Sequence, residues 1–313
     1  MLQYLIILLD DTSVSFCHYP NKETNRQLID LDNLKNGIRF AMKQNLMVQF
    51  VYPDYKLPES YEAVIESIDH HKIKPGVLKE EKADVVVYDY TTFAPKEIFT
   101  QKPGRTFVLR ISKNELFNEY REIVRLLKSL NRLTLVITDI DTFREEDFDV
   151  YKRILSSLKT SMMEELKEGN IPQLNTLSDR IQLEEMNNCN AGIGNITLAP
   201  NGKFYICPAF YLEDKEDSVG DLTKGVVIPN KQLFKLDYAP ICRKCDAYHC
   251  KRCVWLNRKT TLEVNTPSHE QCVTAHLERN TSRELLNELK GNGYFPDKAI
   301  KEIVYLDPFE LKE

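Results

Sequence analysis

A chain of 313 residues with 42% hydrophobic content can build one large domain and a smaller one, each around its own core. Its formal charge of -5, with acidic and basic residues interspersed, offers no basic stripe for nucleic acid. The apolar run from Leu2 to Leu9 is stopped by Asp10 and Asp11, is too short to span a bilayer and lacks a basic lead or cleavage site. It predicts a buried strand in a cytoplasmic protein that has no membrane partner and keeps its thiols reduced.

In chain order, strand-like runs fall at Tyr4 to Leu9, Leu46 to Tyr52, Asp84 to Tyr88, Thr106 to Ile111 and Leu133 to Thr138. They are rich in Val, Ile, Leu and aromatics without polar alternation, as parallel strands covered on both faces should be. Between and after them, apolar residues recur at helical spacing: Leu34, Ile38, Ala41 and Met42; Leu116, Tyr120, Ile123 and Leu127; Phe148, Tyr151, Leu155 and Leu158. Repeated strand-helix-strand units predict a parallel α/β architecture, either an open doubly wound sheet or a full or partial barrel, over residues 1–185.

Past residue 185 the texture changes to short strands and turns. Pro200, Asn201 and Gly202 between Ile196–Leu198 and Lys203–Ile206 predict a hairpin with an Asn-Gly turn, inside a second domain over residues 186–280. A last segment, 281–313, opens with a helix. Thr281 is its expected N-cap, with Glu284 as capping-box partner, Leu285 and Leu289 on one face and Gly291 at its end. The tail from Pro296 to Glu313 is expected to be an ordered appendage.

Seven of the eight cysteines lie in that second domain, and only Cys17 lies outside it. Cys189 and Cys207 flank the hairpin, Cys242, Cys245, Cys250 and Cys253 fall within twelve residues, and Cys272 follows. Successive Cys-x-x-Cys pairs aim thiolates at one point and mark metal or iron-sulfur ligands; zinc accepts the same spacing, so both remain open. Arg243, Lys244, Lys251 and Arg252 add positive charge that favours thiolates, or else form a solvated face. His249 beside Cys250 is a further candidate ligand or a hydrogen-bonding side chain.

The order Cys189, Gly202-x4-Cys207, Cys242-x2-Cys245-x4-Cys250-x2-Cys253, Cys272 resembles the SPASM domain of radical SAM peptide maturases, with two gaps shortened. The stretch Asp10 to Tyr19, together with these cysteines, resembles the CXXX repeat peptide maturase family. The resemblance implies a partial (β/α)6 radical-SAM-like barrel followed by a small cysteine-rich hairpin and loop domain. It implies two 4Fe-4S clusters, one on Cys242, Cys245, Cys250 and Cys272, the other on Cys189, Cys207 and Cys253 with one iron left open.

Radical SAM enzymes carry Cys-x3-Cys-x2-Cys after the first strand. Aligning Cys17 with its middle position puts Ser13 and Pro20 at the other two, and Tyr52, Pro53 and Asp54 stand where Gly-Gly-Glu usually follows the second strand. No S-adenosylmethionine cluster is therefore expected. The family resemblance implies a role in ribosomal-peptide maturation, with a cysteine-containing precursor peptide and a companion radical SAM protein as partners. Cys17, Asp10 and Asp11, at the end of the first strand, are the candidates for any catalysis of the chain's own. The alternative is a zinc-stapled binding module without redox chemistry.

Overall fold

The apolar runs are drawn together into a single sheet by burial of both their faces. The computed structural model describes residues 2–76, 83–90, 105–170, 172–186, 189–300 and 303. Strands β1 (Tyr4–Leu8), β2 (Met47–Val51), β3 (His70–Pro75), β4 (Val85–Asp89), β5 (Thr106–Ile111), β6 (Arg132–Ile137) and β7 (Gln173–Leu174) pair side by side in chain order, all parallel. A doubly wound sheet reverses its order at a switch point, whereas this one never does. The choice left open by pattern is thus settled for a singly wound partial barrel.

The free edge of β1 is taken by β8 (Asn195–Leu198), again in parallel, and β9 (Lys203–Tyr205), β10 (Gly220–Asp221) and β11 (Gly225–Val226) continue antiparallel. The predicted hairpin is therefore β8 and β9. It extends the barrel sheet, because β1 offers the one row of backbone groups that β2 leaves unpaired.

Strand β3 was absent from the sequence expectations. Its sequence, HHKIKP, reads as polar, yet Lys72 and Lys74 are buried. Lys72 Nζ reaches Glu66 at 2.5 Å and Glu62 at 3.3 Å, and Lys74 lies 4.4 Å above the Tyr52 ring, so both charges have partners and the strand can be covered.

Helices α1 (Leu31–Lys43), α2 (Glu59–Ile65), α3 (Lys113–Leu127), α4 (Glu145–Lys167) and α5 (Asn175–Gln182) belong to the barrel. Asp30 caps α1, and Ser112 with Glu115 forms a capping box on α3. The expected stripes are buried save at Met42, which is exposed and lies off the α1 face, and Tyr120, which is only partly buried.

Later come α6 (Pro208–Glu213), α7 (Val254–Thr261) and α8 (His269–Gly291). The expected cap at Thr281 is corrected: α8 starts thirteen residues earlier, where the Ser268 side chain accepts from the Gln271 amide. Thr281 is buried in mid-helix and its hydroxyl donates to the Leu277 carbonyl. Because α8 packs on α4 and α5, Leu285, Leu286 and Leu289 join the barrel core. The expected tail lies, beyond residue 300 and apart from residue 303, outside the described residues.

Candidate metal centres

The chain leaving β1 is tied down at once. The Asp10 carboxylate accepts from the Thr12 amide (2.8 Å), the Thr12 hydroxyl (2.6 Å) and Tyr55 (2.8 Å). Asp11 accepts from Tyr211 at 2.5 Å and Lys215 at 2.7 Å. Burial, and then the carboxylates they donate to, hold Tyr55 and Tyr211 above the usual phenol range, so both remain donors.

Ser13 is turned toward the end of β2, its hydroxyl donating to the Val51 carbonyl, while Pro20 is exposed. Between them, the buried Arg110 of β5 donates to the carbonyls of Cys17 (3.0 Å) and Tyr19 (2.8 Å) and pairs with Asp89. His18 Nδ1 donates to the Ile137 carbonyl at the end of β6 (2.8 Å), and burial, followed by the Lys251 charge, lowers its pKa to about 4. Strands β5 and β6 are four and five places from β1 in the sheet. Only a curved sheet lets one loop touch all three, and Cys17 on that loop is half-buried.

At the position of the usual Gly-Gly-Glu stretch, Tyr52 is buried, with its hydroxyl donating to Glu62 (3.2 Å) and its ring beneath Lys74. Pro53 is buried, and exposed Asp54 lies 3.6 Å from Arg26.

The thiols fall into two sets. Cys189 precedes β8, held by Asn195 Nδ2 donating to its carbonyl at 2.5 Å. Cys207 and Cys253 occupy the N-cap positions of α6 and α7, whose first amides favour negative charge on sulfur. These three and Cys17 are each partly buried against the same large core cluster. Their mutual influence marks them as neighbours. Burial, then the charge at Cys17, raises the Cys189 pKa; burial, then Cys253 and Cys189, raises Cys207; burial, then Cys189, pushes Cys253 up to about 12.

Cys242, Cys245, Cys250 and Cys272 form the second set and line one cavity together with Met186, Ala247 and Ala275. Burial, then Cys272, pushes Cys242 up to about 12, and burial, then Cys245, takes Cys272 to about 11. The Ala247 amide donates to Cys245 Sγ and the Arg252 amide to Cys250 Sγ, each at 3.5 Å. Asp246 fixes this turn: it lies 3.2 Å from Arg180 of α5 and 3.0 Å from Arg279 of α8, and Arg180 Nε also donates to its carbonyl.

His276 was missed in the sequence. Its Nε2 is 3.6 Å from Cys245 Sγ, and the signal was there in its place one helical turn after Cys272. His249 Nε2 lies 3.0 Å from Glu278. Of the four flanking cations, Arg243 and Lys244 are exposed, Lys251 is half-buried and Arg252 is only 7% exposed. Arg252 stands between the sets, within electrostatic range of Cys242 and Cys250 on one side and Cys189 on the other. One guanidinium nitrogen, Nη2, donates to the Phe234 carbonyl; the other, Nη1, is buried without a hydrogen-bond partner. Among the described residues no three His, Cys, Asp or Glu side chains close on a single-ion site, so neither set is drawn in around one atom.

A singly wound partial barrel extended by a thiol-flanked hairpin is the architecture of radical SAM enzymes that carry a SPASM domain. The solved structures agree. Hexahistidine-tagged anSMEcpe with bound AdoMet, a radical SAM/SPASM anaerobic sulfatase maturase, superposes with a TM-score of 0.65 at 13% identity, over 93% of this chain and 96% of that one. Native anSMEcpe with bound AdoMet and Cp18Cys peptide gives 0.63 at 14% identity, over 92% and 99%. At such identity the likeness is one of fold, and it does not extend to the CXXX repeat subtype. No protein-family model matches the chain, and no curated protein sequence matches it. Among the described residues no helix is long and apolar enough to cross a membrane.

Proposed function

We propose that this chain is the non-radical iron-sulfur component of a ribosomal-peptide maturation system of the CXXX repeat kind. It would hold 4Fe-4S clusters on its two thiol sets, receive a cysteine-containing precursor peptide and act beside a companion radical SAM protein in the cytoplasm. One observation carries the proposal: the late cysteines gather in two partly buried sets, whereas the three frame positions of the β1 loop differ in surroundings, Ser13 bonded to β2, Cys17 half-buried and Pro20 exposed.

The donors fit such clusters. All eight cysteines are free thiols, backbone amides already donate to two of the sulfurs, and Arg252 Nη1 and the Tyr19 hydroxyl are buried donors awaiting an acceptor. Burial holds the seven late thiols in their protonated form, so loading is coupled to proton release. When bound, the clusters would supply electron transfer. The protein's own part is to place the substrate: a cavity lined by His18, His249, Lys251 and Glu278 is bordered by Cys250 of one set and Cys253 of the other. In this reading Asp10 and Asp11 hold the loop rather than react, since each carboxylate is committed to at least two donors.

Zinc is the second reading, and His276 beside Cys245 favours it, because Cys and His are zinc's usual donors. Anaerobic purification followed by iron, sulfide and zinc analysis separates the two. Iron-loaded protein given S-adenosylmethionine and a strong reductant should form no deoxyadenosine. Sustained deoxyadenosine production would overturn the non-radical assignment.

A further inference from the structure

A cavity lies where the end of β6, the start of α5 and the first half of α8 face the turn that joins Cys250 to Cys253. We propose that it is a carboxylate-binding pocket, and that the group it takes is an acidic side chain of the peptide substrate, held by Arg252, Lys251 and Thr176. This rests on the reading of that cavity as the substrate's place, and it names the part of the substrate that enters.

The polar groups of the lining divide into those already bonded and those not. Asn175 is committed to β6: its Nδ2 donates to the Leu135 carbonyl (3.0 Å) and its Oδ1 accepts from the Leu135 amide (2.7 Å). Gln271 Nε2 donates to Asn257 (3.2 Å), and His18 Nδ1 to the Ile137 carbonyl. Glu278, which brings a carboxylate to the lining, accepts from Tyr151 and lies 3.0 Å from His249 Nε2.

What is left over is a set of donors. Arg252 is 7% exposed and Thr176 5%, and Arg252 Nη1 and the Thr176 hydroxyl are both buried without a hydrogen-bond partner. Lys251 is half-buried and brings a second positive charge. Donors this deep cost free energy until an acceptor arrives. Two cations against one engaged carboxylate leave the lining positive, so the acceptor that complements it is an anion.

Shape narrows the anion to a carboxylate on a short apolar stem. The cavity encloses about 70 Å³, room for about five water molecules. Val136, Ile140, Leu256 and Ala275 form its apolar wall. The methylenes of an acidic side chain pack on such a wall, whereas a free phosphate has nothing to place there. The thiol sets do not claim the space: Cys242, Cys245, Cys250 and Cys272 share a different cavity, and neither Cys189 nor Cys207 lines this one.

The test uses the full chain as it comes from anaerobic purification and two end-blocked peptides, acetyl-Cys-Gly-Glu-Gly-amide and its Gln counterpart, with binding read by calorimetry. The Glu peptide should bind about ten- to a hundredfold more tightly, the range for hydrogen bonds to a charged group. Arg252→Gln should remove about that whole factor. Thr176→Val, which touches only this cavity and guards against an arginine variant that does not fold, should remove about three- to tenfold. Lys251→Gln, at a half-buried position, should remove about two- to fivefold.

Equal affinity for the two peptides, or a Glu preference untouched by both Arg252→Gln and Thr176→Val, would overturn the pocket and leave the substrate reading standing. If neither peptide binds, both fall. Phosphate displacing the Glu peptide more readily than glutarate does would overturn the carboxylate assignment, and glutarate binding as tightly as the peptide would overturn the peptide as its source. Iron content and the EPR signals of the two thiol sets, recorded on the same material, report on the clusters separately.

Discussion

The two thiol sets are assembled in opposite ways. Cys242, Cys245, Cys250 and Cys272 come from one short stretch and the helix that follows it, fixed by Asp246 to Arg180 and Arg279. Cys189 and Cys207 stand on either side of the hairpin, brought to one end of it by the antiparallel pairing of β8 and β9, and Cys253 comes from the start of α7. The first kind of site is written in spacing; the second is a property of the sheet. Local damage should therefore empty one set and spare the other.

The largest effect is expected from Asp246→Ala, which removes the buried carboxylate paired with Arg180, only 1% exposed, and with Arg279. Burial acts to raise the Asp246 pKa, but the Arg279 hydrogen bond and the two guanidinium charges outweigh it and hold the carboxyl below its usual range. Breaking a buried pair in this way costs about 3–5 kcal/mol. Chemical denaturation should show that loss, and iron analysis of the folded fraction should show the Cys242 set emptied with the other retained. Wild-type stability in the variant would refute the role given to Asp246.

Arg110→Met sharpens the comparison from the other side. It strands the Cys17 and Tyr19 carbonyls and should cost about 1–3 kcal/mol, while leaving Asp246 and its arginines untouched. Limited proteolysis should then cut between residues 10 and 29 faster than in wild type, while the iron held by the Cys242 set stays unchanged. Loss of that iron would mean that the loop and the Cys242 set are not separable.

Arg252 is where the two sets meet, and Arg252→Gln removes one positive charge from both. By Coulomb's law at protein-like dielectric the loss is on the order of 1–2 kcal/mol, roughly 50–100 mV for one electron. Both reduction potentials should fall together; a shift in one alone would place Arg252 with that set.

Legibility in the sequence followed the same division. Five parallel strands were readable because their apolar runs announce burial on both faces, and Asn201-Gly202 announced the hairpin. Strand β3 was hidden because its burial depends on Glu62, Glu66 and the Tyr52 ring neutralising or covering Lys72 and Lys74, partners that no local pattern reveals. The start of α8 was misplaced because Thr281 and Glu284 imitate a capping box, while Ser268, the actual cap, follows a proline and precedes a weakly apolar stretch. The Cys242 set could be read from Cys-x-x-Cys spacing.

The smallest expected effect is a control far from both sets. Asp147, at the start of α4, lies 2.7 Å from Lys113 at the start of α3. Burial acts to raise its pKa, and the hydrogen bonds from Lys113 and the Arg144 amide more than reverse this, leaving it below the ordinary carboxylate value. A carboxyl depressed on folding stabilises above its unfolded pKa of about 3.9, and that contribution disappears as pH falls through the folded value. Asp147→Asn should therefore cost about 0.5–1 kcal/mol at neutral pH, the upper range for a pair so near the surface. The gap to wild type should close in denaturation curves taken progressively below pH of about 4. Neither iron content nor either EPR signal should move, because the pair contacts α3, α4 and the Thr142–Phe143 turn and none of the cysteines; a change in one of them would show that the barrel wall and the thiol sets are coupled.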